Sequence, residues 1–334
     1  MKKSDLIISS GLDGDDLEDR ADTGPEFELR QLAFEESQHG LRLDQALVGL
    51  ASEFSRSYLQ QLIIAGAVTV ERLAACKPST RVKAGDRGTI ELRPTPQSQA
   101  FKPELMALDI VHQDEHLLVL NKPAGLVVHP APGNWSGTLL NGLLAHDAGA
   151  MNLPRAGIVH RLDKDTSGLM VVARTRAAMD ALIRSIAARE IGRQYLALAH
   201  RPWVGAAQRQ VDQPIGRDPR NRLRMAVVDL AKNPGKLART DIELLQNCEQ
   251  GCLVRCTLHT GRTHQIRVHM ASIGHPLVAD ELYGGKVAAG MRRQALHACR
   301  LSFVHPVTHG AMLFRADMPD DLADALRLWG LSYN

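Results

Sequence analysis

The chain has 334 residues, of which 44% are hydrophobic and only 4% aromatic, so its core must be built from aliphatic side chains. It contains no run of 18 apolar residues and no apolar segment of a secretory signal, which predicts a cytoplasmic protein without a membrane span. The net charge is +3, but residues 1–26 carry three Lys/Arg and eight Asp/Glu, which leaves a body of charge +8 that suits a polyanionic partner. Residues 1–36 are predicted to form an acidic, disordered tail.

Residues 41–92 predict a small, separate α/β module. Leucines and alanines at helical spacing from Leu43 to Leu50 indicate a first amphipathic helix. Ser55 or Ser57 is placed to cap a second helix, and Gly66 is suited to end it. Two short strands are then expected on either side of a glycine-containing turn.

A proline-containing stretch at residues 93–103 is typical of a linker, and residues 104–330 are predicted to form a larger second domain. Strands are indicated by apolar runs such as GLMVVA, QYLALA, CLVRCTL and QALHACRLSF. Helices are indicated by LNGLLAH and by residues 178–190, where Thr175 is placed to cap the start, but they do not alternate regularly with the strands. The fold class predicted is therefore α+β, with a mixed, largely antiparallel sheet.

The segment GIVHRLDKDTSGLMVVART, residues 157–175, places a cluster of charged residues between two apolar runs. A short loop held between buried strands is a rigid support for catalytic groups. Asp163 and Asp165 are both candidates for such a role. An ordinary charged turn is the alternative interpretation.

Two further segments carry polar residues among apolar ones. In TGRTHQIRVHMASIGHPL, residues 260–277, the three histidines lack a metal-binding spacing, and an arginine that stabilises a carboxylate or binds phosphate is the favoured interpretation. In GRQYLALAHRPW, Tyr195 is either a core residue or a side chain that faces a base. Cys248, Cys252 and Cys256 could suggest a metal, but they fit a buried strand better.

The motif HRLDKDTSGLMVVA resembles the catalytic motif of the RluA-type pseudouridine synthases, a family of RNA-modifying isomerases. LNKPAGLVVHPAPGNWSGTLLNGLL, GRTHQIRVHMASIGHPLVADELYG and RQALHACRLSFVHP resemble further motifs of the family, in the same order. Residues 41–92 resemble the S4-type RNA-binding domain that several members carry in front. The resemblance covers residues 41–325 and identifies residues 104–330 as a catalytic domain with the pseudouridine synthase fold.

The resemblance implies a role for each matching residue. The catalytic aspartate falls on Asp163, the arginine that flips the target base on Arg161, and the tyrosine that stacks on the uracil on Tyr195. The arginine that pairs with the catalytic carboxylate falls on Arg267, and Ile266 beside it would form an apolar wall of the base pocket.

The chemistry explains these residue types. A base inside folded RNA must be extruded before it can react, and a planar arginine can fill the space it leaves. Isomerisation moves no electrons to or from the uridine, so no cofactor and no metal are expected. Whether Asp163 acts as nucleophile or as base is left open.

The partner expected is large-subunit (23S) ribosomal RNA, within a pre-ribosomal particle or free, and the chain is expected to be monomeric. Arg42 and Arg56 on the helices of the S4-like module are candidates for phosphate contacts. The alternatives are the same chemistry on another ribosomal RNA site or a tRNA, and a non-catalytic RNA-binding or ribosome-assembly factor. The sequence departs from the S4 pattern at Thr69–Arg72, where a hairpin turn with glycine is usual, and has Ala279 where relatives often have glycine.

Overall fold

The computed structural model describes residues 28–73, 75–92, 100–131, 133–221 and 223–333, which form two compact units divided between residues 92 and 100. In the described part of the chain, no helix is long and apolar enough to cross a membrane.

The N-terminal unit packs two helices against a three-stranded antiparallel sheet. Ser55 caps the second helix by accepting a hydrogen bond from the N–H of Tyr58, and Gly66 ends it with a left-handed backbone, as the sequence predicts. The sheet has the strand order β1-β3-β2. Its elements are β1 (Glu28–Ala33), α1 (Leu43–Leu50), α2 (Arg56–Ile64), β2 (Val68–Val70) and β3 (Arg87–Leu92).

The predicted extent of the acidic tail, residues 1–36, is wrong at its C-terminal end. Strand β1 pairs with β3 from Glu28 to Ala33, and Leu32 and Phe34 are buried in the core of the unit. Acidic residues surround this strand in the sequence, and its pairing partner lies more than 50 residues further along the chain, so no local pattern indicates a strand here. Residues 1–27 and most of the predicted linker, residues 93–99, lie outside the described residues.

The C-terminal unit is built on one nine-stranded sheet of the described chain, with the order β4-β5-β6-β14-β7-β13-β12-β8 and β15 paired to β14. Among the described strands of this sheet, only β6 and β14 pair in parallel, which confirms the predicted mixed, largely antiparallel sheet. A separate small sheet is formed by β9, β10 and β11, which lie between β8 and β12 in the sequence. The strands are β4 (Ile110–Gln113), β5 (Leu117–Lys122), β6 (Ser167–Ala173), β7 (Gly192–His200), β8 (Gln208–Asp212), β9 (Ile215–Arg217), β10 (Met225–Val227), β11 (Gly235–Lys236), β12 (Arg239–Asn247), β13 (Gly251–Leu258), β14 (Leu296–Val304) and β15 (Ala311–Arg315).

Helices cover this sheet and build its core. Thr175 accepts a hydrogen bond from the N–H of Ala178 at the start of the second helix of the unit, the cap that the sequence predicts. Leu139 and Leu140 of the first helix lie in the largest core cluster, together with residues of β5, β6, β7 and β13. The helices are α3 (Leu139–His146), α4 (Arg176–Ala187), α5 (Gln265–Ser272) and α6 (Asp320–Leu328).

The parallel contact between β6 and β14 fixes the loop that precedes β6. Ser167 and Gly168 pair with His297 and Ala298. Gly168 has φ of +117°, and a Cβ there would lie 2.3 Å from the carbonyl oxygen of Ala298, so glycine is required for this close approach. The charged loop is therefore anchored at the centre of the sheet, where β14 lies between β6 and β7.

Candidate active site

A cavity of about 650 Å³ opens where the charged loop, strand β7 and the segment before helix α5 meet. The loop contributes Asp163 and Arg161, β7 contributes Tyr195, and the start of α5 contributes Ile266 and Arg267. The five side chains that the resemblance singled out thus line one cavity, although more than 100 residues separate the first from the last. Asp165, the competing carboxylate, is not among the residues that line it.

Arg267 joins two carboxylates at the base of this cavity. Its Nη1 donates a hydrogen bond to Oδ2 of Asp163 at 3.0 Å, and its Nε and Nη2 donate to the two oxygens of Asp280 at 2.7 and 2.8 Å. The Asp280 side chain is 1% exposed, whereas that of Asp163 is 19% exposed. Burial opposes the charge on Arg267, but the hydrogen bonds and negative charges of Asp280 and Asp163 outweigh it and raise its pKa. Asp280 therefore holds the guanidinium, and Arg267 presents Asp163 to the cavity.

A second network approaches the other oxygen of Asp163. Nε2 of His264 lies 3.9 Å from Oδ1 of Asp163, and Nδ1 of His264 lies 2.8 Å from the hydroxyl of Tyr283. The Tyr283 hydroxyl accepts a hydrogen bond from the N–H of Met225, and burial raises its pKa, so it is protonated and donates to His264. Burial lowers the pKa of His264, so its neutral ring carries its hydrogen on Nε2, toward Asp163. The Tyr283 ring also lies 5.0 Å from the guanidinium of Arg267, which it stabilises by a cation–π contact.

Tyr195 and Ile266 form buried walls of the cavity, and Arg161 lies at its exposed side. Burial raises the pKa of Tyr195 to about 12, so the ring stays neutral at physiological pH. Arg161 makes no hydrogen bond or ion pair with any other described residue. Its side chain is therefore available to a ligand.

Lys122 and Arg293 fix the charged loop through hydrogen bonds to its backbone carbonyls. The Lys122 side chain is fully buried, and its Nζ donates to the carbonyl oxygens of Pro123, Leu126 and Lys164, the residue after Asp163. Burial lowers the pKa of Lys122 to about 8, which leaves the amine mostly protonated at neutral pH. Nη1 of Arg293 donates to the carbonyl of Asp165 at 2.9 Å. The carbonyls of Lys164 and Asp165, the two residues after Asp163, are thereby held in place.

The cavity is strongly basic. Asp163 is the one acidic side chain among the described residues that line it. Six arginines line it as well: Arg155, Arg161, Arg189, Arg193, Arg262 and Arg267. A surface of this charge suits a phosphate backbone.

The cysteines and histidines of the other predicted segments have structural surroundings. Cys252 and Cys256 are buried side chains of β13, and burial raises the pKa of Cys252 to about 12. Nδ1 of His269 is hydrogen-bonded to the hydroxyl of Thr240 at 2.9 Å, whereas Nδ1 of His275 is hydrogen-bonded to the carbonyl of His200 at 3.1 Å. The two histidines therefore have separate partners. Among the described residues, no group of three or more His, Cys, Asp or Glu is arranged to hold a metal ion.

Arg42 and Arg56, the predicted phosphate contacts, are both engaged in the N-terminal unit. Nε of Arg42 lies 3.0 Å from Oδ1 of Asp44, and Nη2 of Arg56 lies 2.8 Å from Oδ2. Gln60 donates a further hydrogen bond to this fully buried carboxylate. Each arginine side chain is nearly half exposed, and the ion pair of Arg56 with Asp44 joins α2 to α1. Their role in RNA binding stays a prediction.

Sequence reasoning missed Asp280, Tyr283 and Lys122 as parts of the site. Each lies in a motif that was recognised, but nothing local distinguishes a buried partner from a surface charge. Ala279, noted as a departure from glycine, has φ of +58°, and this left-handed turn directly precedes Asp280. That irregular position is the signal that could have drawn attention to Asp280.

Comparison with known proteins found a matching family and similar relatives. Residues 116–272 match the model of a family described as RNA pseudouridylate synthase. Three relatives named ribosomal large subunit pseudouridine synthase D are similar over most of their length. The protein of Neisseria meningitidis serogroup B is 48% identical, with 85% of this chain and 77% of the relative covered. That of Nitrosomonas europaea is 44% identical (89% and 87% covered), and that of Yersinia pestis 43% (87% and 91%).

Two solved human structures are similar in fold. RNA pseudouridylate synthase domain containing 1 is 27% identical, with a TM-score of 0.52 over 66% of this chain and 87% of that one. RNA pseudouridylate synthase domain containing 4 is 24% identical, with a TM-score of 0.53 over 67% and 94%. The second likeness concerns the fold alone.

Proposed function

The chain belongs to the RNA pseudouridylate synthase family, and we propose that it converts uridines of large-subunit ribosomal RNA into pseudouridine with Asp163 as its catalytic residue. The proposal rests above all on one observation. Asp163 lies in a basic cavity, 3.0 Å from a buried arginine, beside a tyrosine ring and an unpaired arginine. Relatives that match 85–89% of this chain are named ribosomal large subunit pseudouridine synthase D.

The proposed reaction begins when the target uridine leaves its stack. Arg161 is suited to occupy the vacated space, because its guanidinium is exposed and has no other partner among the described residues. The extruded uracil then lies between the Tyr195 ring and the apolar side chain of Ile266. Extrusion costs a few kcal/mol, which contacts of this kind and phosphate binding offset.

The bond between N1 of uracil and C1′ of ribose then breaks, the base turns, and C5 bonds to C1′ while the proton on C5 is lost and N1 gains one. The atoms of product and substrate are the same, so the protein supplies positioning and proton transfer. Arg267 orients Asp163, whose carboxylate acts as nucleophile or as base. The cavity keeps the detached uracil in place while it rotates.

The RNA partner also explains the N-terminal unit. A module of two helices and three strands ahead of the catalytic unit is proposed to add RNA contacts, as the likeness to S4-type domains implies. The enzyme is proposed to act as a monomer in the cytoplasm, on free ribosomal RNA or on a pre-ribosomal particle.

Pseudouridine mapping in a deletion strain tests the proposal. Large-subunit RNA from the strain should lack one or more pseudouridines, and a plasmid copy of the gene should restore them. A copy encoding Asp163→Asn should not restore them, although the protein accumulates. Loss of pseudouridine from a tRNA or the small-subunit RNA instead would refute the target. Restoration by Asp163→Asn would refute the catalytic assignment and favour a non-catalytic role.

A further inference from the structure

A buried arginine in the cavity has no protein partner. Arg193 lies on β7, two residues before Tyr195, and its side chain lines the same cavity. The residue is only 6% exposed, and its Nε is buried without a hydrogen-bond partner. None of the described residues forms an ion pair with its guanidinium. A buried charge left unpaired is costly, so a ligand that completes it should be an anion.

A second donor beside Arg193 has the same need. His160 also lines the cavity, and its Nε2 accepts a hydrogen bond from the N–H of Val171. The hydrogen of the neutral ring is therefore on Nδ1, which is buried and unpartnered in the described chain. Two unsatisfied donors in one cavity call for a ligand with several acceptor oxygens.

The backbone opposite Arg193 is shaped around its guanidinium. A Cβ at Gly261 would lie 2.9 Å from Nη1 of Arg193, so the guanidinium lies directly against the glycine. Gly261 belongs to the segment that leads to Arg267. The position of Arg193 is thus set by β7 on one side and by this segment on the other.

We infer that Arg193 binds a backbone phosphate next to the target uridine, on its 5′ or 3′ side, and so positions the flipped nucleotide over Asp163. The inference rests on the proposed function, because it takes RNA as the ligand. A phosphate supplies the missing negative charge and oxygen acceptors, which the neutral uracil ring does not. Arg161 and Arg193 then have separate tasks: the first fills the stack, and the second holds the extruded nucleotide.

Binding measurements in an Asp163→Asn background test the inference without turnover. The RNA is a stem-loop around the mapped target, with one uncharged methylphosphonate placed in turn on the 5′ and the 3′ side of the target and a 2′-O-methyl ribose before the linkage. At one of the two positions, the methylphosphonate should weaken binding about tenfold to a hundredfold, the range for one charged hydrogen bond. In the double variant Asp163→Asn/Arg193→Met, the RNA with the methylphosphonate should bind as tightly as the unmodified RNA binds to the same variant.

Three controls separate binding from folding. Arg193→Met should be as heat-stable as the wild type or more so, because methionine replaces an unpaired buried charge by an apolar chain. Its affinity for RNA should depend less on salt, by about 0.7–0.9 in the slope of log K against log salt. Gly261→Ala should weaken binding only while Arg193 is present, because the added methyl group displaces its guanidinium.

Equal losses from the methylphosphonates with and without Arg193, or a salt slope that Arg193→Met leaves unchanged, would overturn the inference. A lower melting temperature together with either result would assign Arg193 to the fold instead. These outcomes are independent of turnover. Pseudouridine formation by the wild-type protein is scored separately, so the proposed function can stand when the inference fails.

Discussion

Replacing Asp280 by asparagine separates the two carboxylates that share Arg267. Asp280 is buried and accepts two hydrogen bonds from the guanidinium, at 2.7 and 2.8 Å, whereas Asp163 accepts one at 3.0 Å and faces the cavity. Asparagine has the same shape but keeps one acceptor and turns a donor toward the arginine. Asp280→Asn should therefore mainly lower stability, whereas Asp163→Asn should mainly abolish activity.

The magnitude follows from burial. Removing one partner of a buried ion pair costs about 3–5 kcal/mol, and the retained hydrogen bond of asparagine and the remaining Asp163 reduce this to about 2–4 kcal/mol. At about 2–4 °C per kcal/mol for a domain of this size, Asp280→Asn should lower Tm by roughly 5–15 °C. Asp163→Asn leaves Arg267 paired with Asp280 and should change stability by less than about 1 kcal/mol.

Thermal unfolding and single-turnover assays on the target stem-loop distinguish the two variants. Asp163→Asn should melt near the wild type and form no pseudouridine. Asp280→Asn should melt early and, below its Tm, turn over about tenfold more slowly or worse, because Arg267 is no longer held for Asp163. An Asp280→Asn protein with wild-type Tm and rate would refute the view that Asp280 anchors the pair. Asp165→Asn is the matched control and should stay active.

Four further changes have definite expected outcomes. Arg267→Ala should reduce turnover more than Arg267→Lys does, because lysine keeps the charge but not the planar fork; equal rates in kinetic assays would contradict this. Deleting residues 1–27 should leave RNA affinity in filter binding unchanged or slightly higher. Deleting residues 1–95 should weaken RNA affinity and reduce its salt dependence, without a comparable fall in kcat. Identical RNA binding by the two shortened proteins would show that the N-terminal unit does not contribute to it. Burial opposes the charge on Asp44, but its hydrogen bonds with two arginines and a glutamine prevail and lower its pKa. The ionised side chain therefore stabilises the N-terminal unit above its unfolded pKa, and this contribution is lost as the pH falls below about 4. Hydrogen exchange of the N-terminal unit should show this acid sensitivity in the wild-type chain and not in Asp44→Asn. Lys122→Met should cost about 2–4 kcal/mol in denaturant unfolding, since three backbone carbonyls lose the hydrogen bonds donated by the buried amine, and a wild-type unfolding curve would argue against that anchoring role.

The amino-acid sequence alone determined the elements whose pattern is local. The apolar spacing of α1, the caps Ser55 and Thr175, and the apolar runs of β6 and β7 each depend on a few neighbouring residues. The predicted α+β class with a largely antiparallel sheet follows from the same local patterns. The family resemblance supplied the roles proposed for Asp163 and its neighbours.

Tertiary structure decided the features that depend on distant partners. Strand β1 could not be distinguished from an acidic tail until β3 supplied its hydrogen bonds and a core for Phe34. Asp163 and Asp165 look alike in the sequence, and only the packing of the loop on β14 turns the first alone into the cavity. Asp280 and Arg193 are ordinary charged residues in the chain. One is a satisfied buried anion and the other an unpaired buried cation, because the energy of a charge depends on burial and on partners that folding brings together.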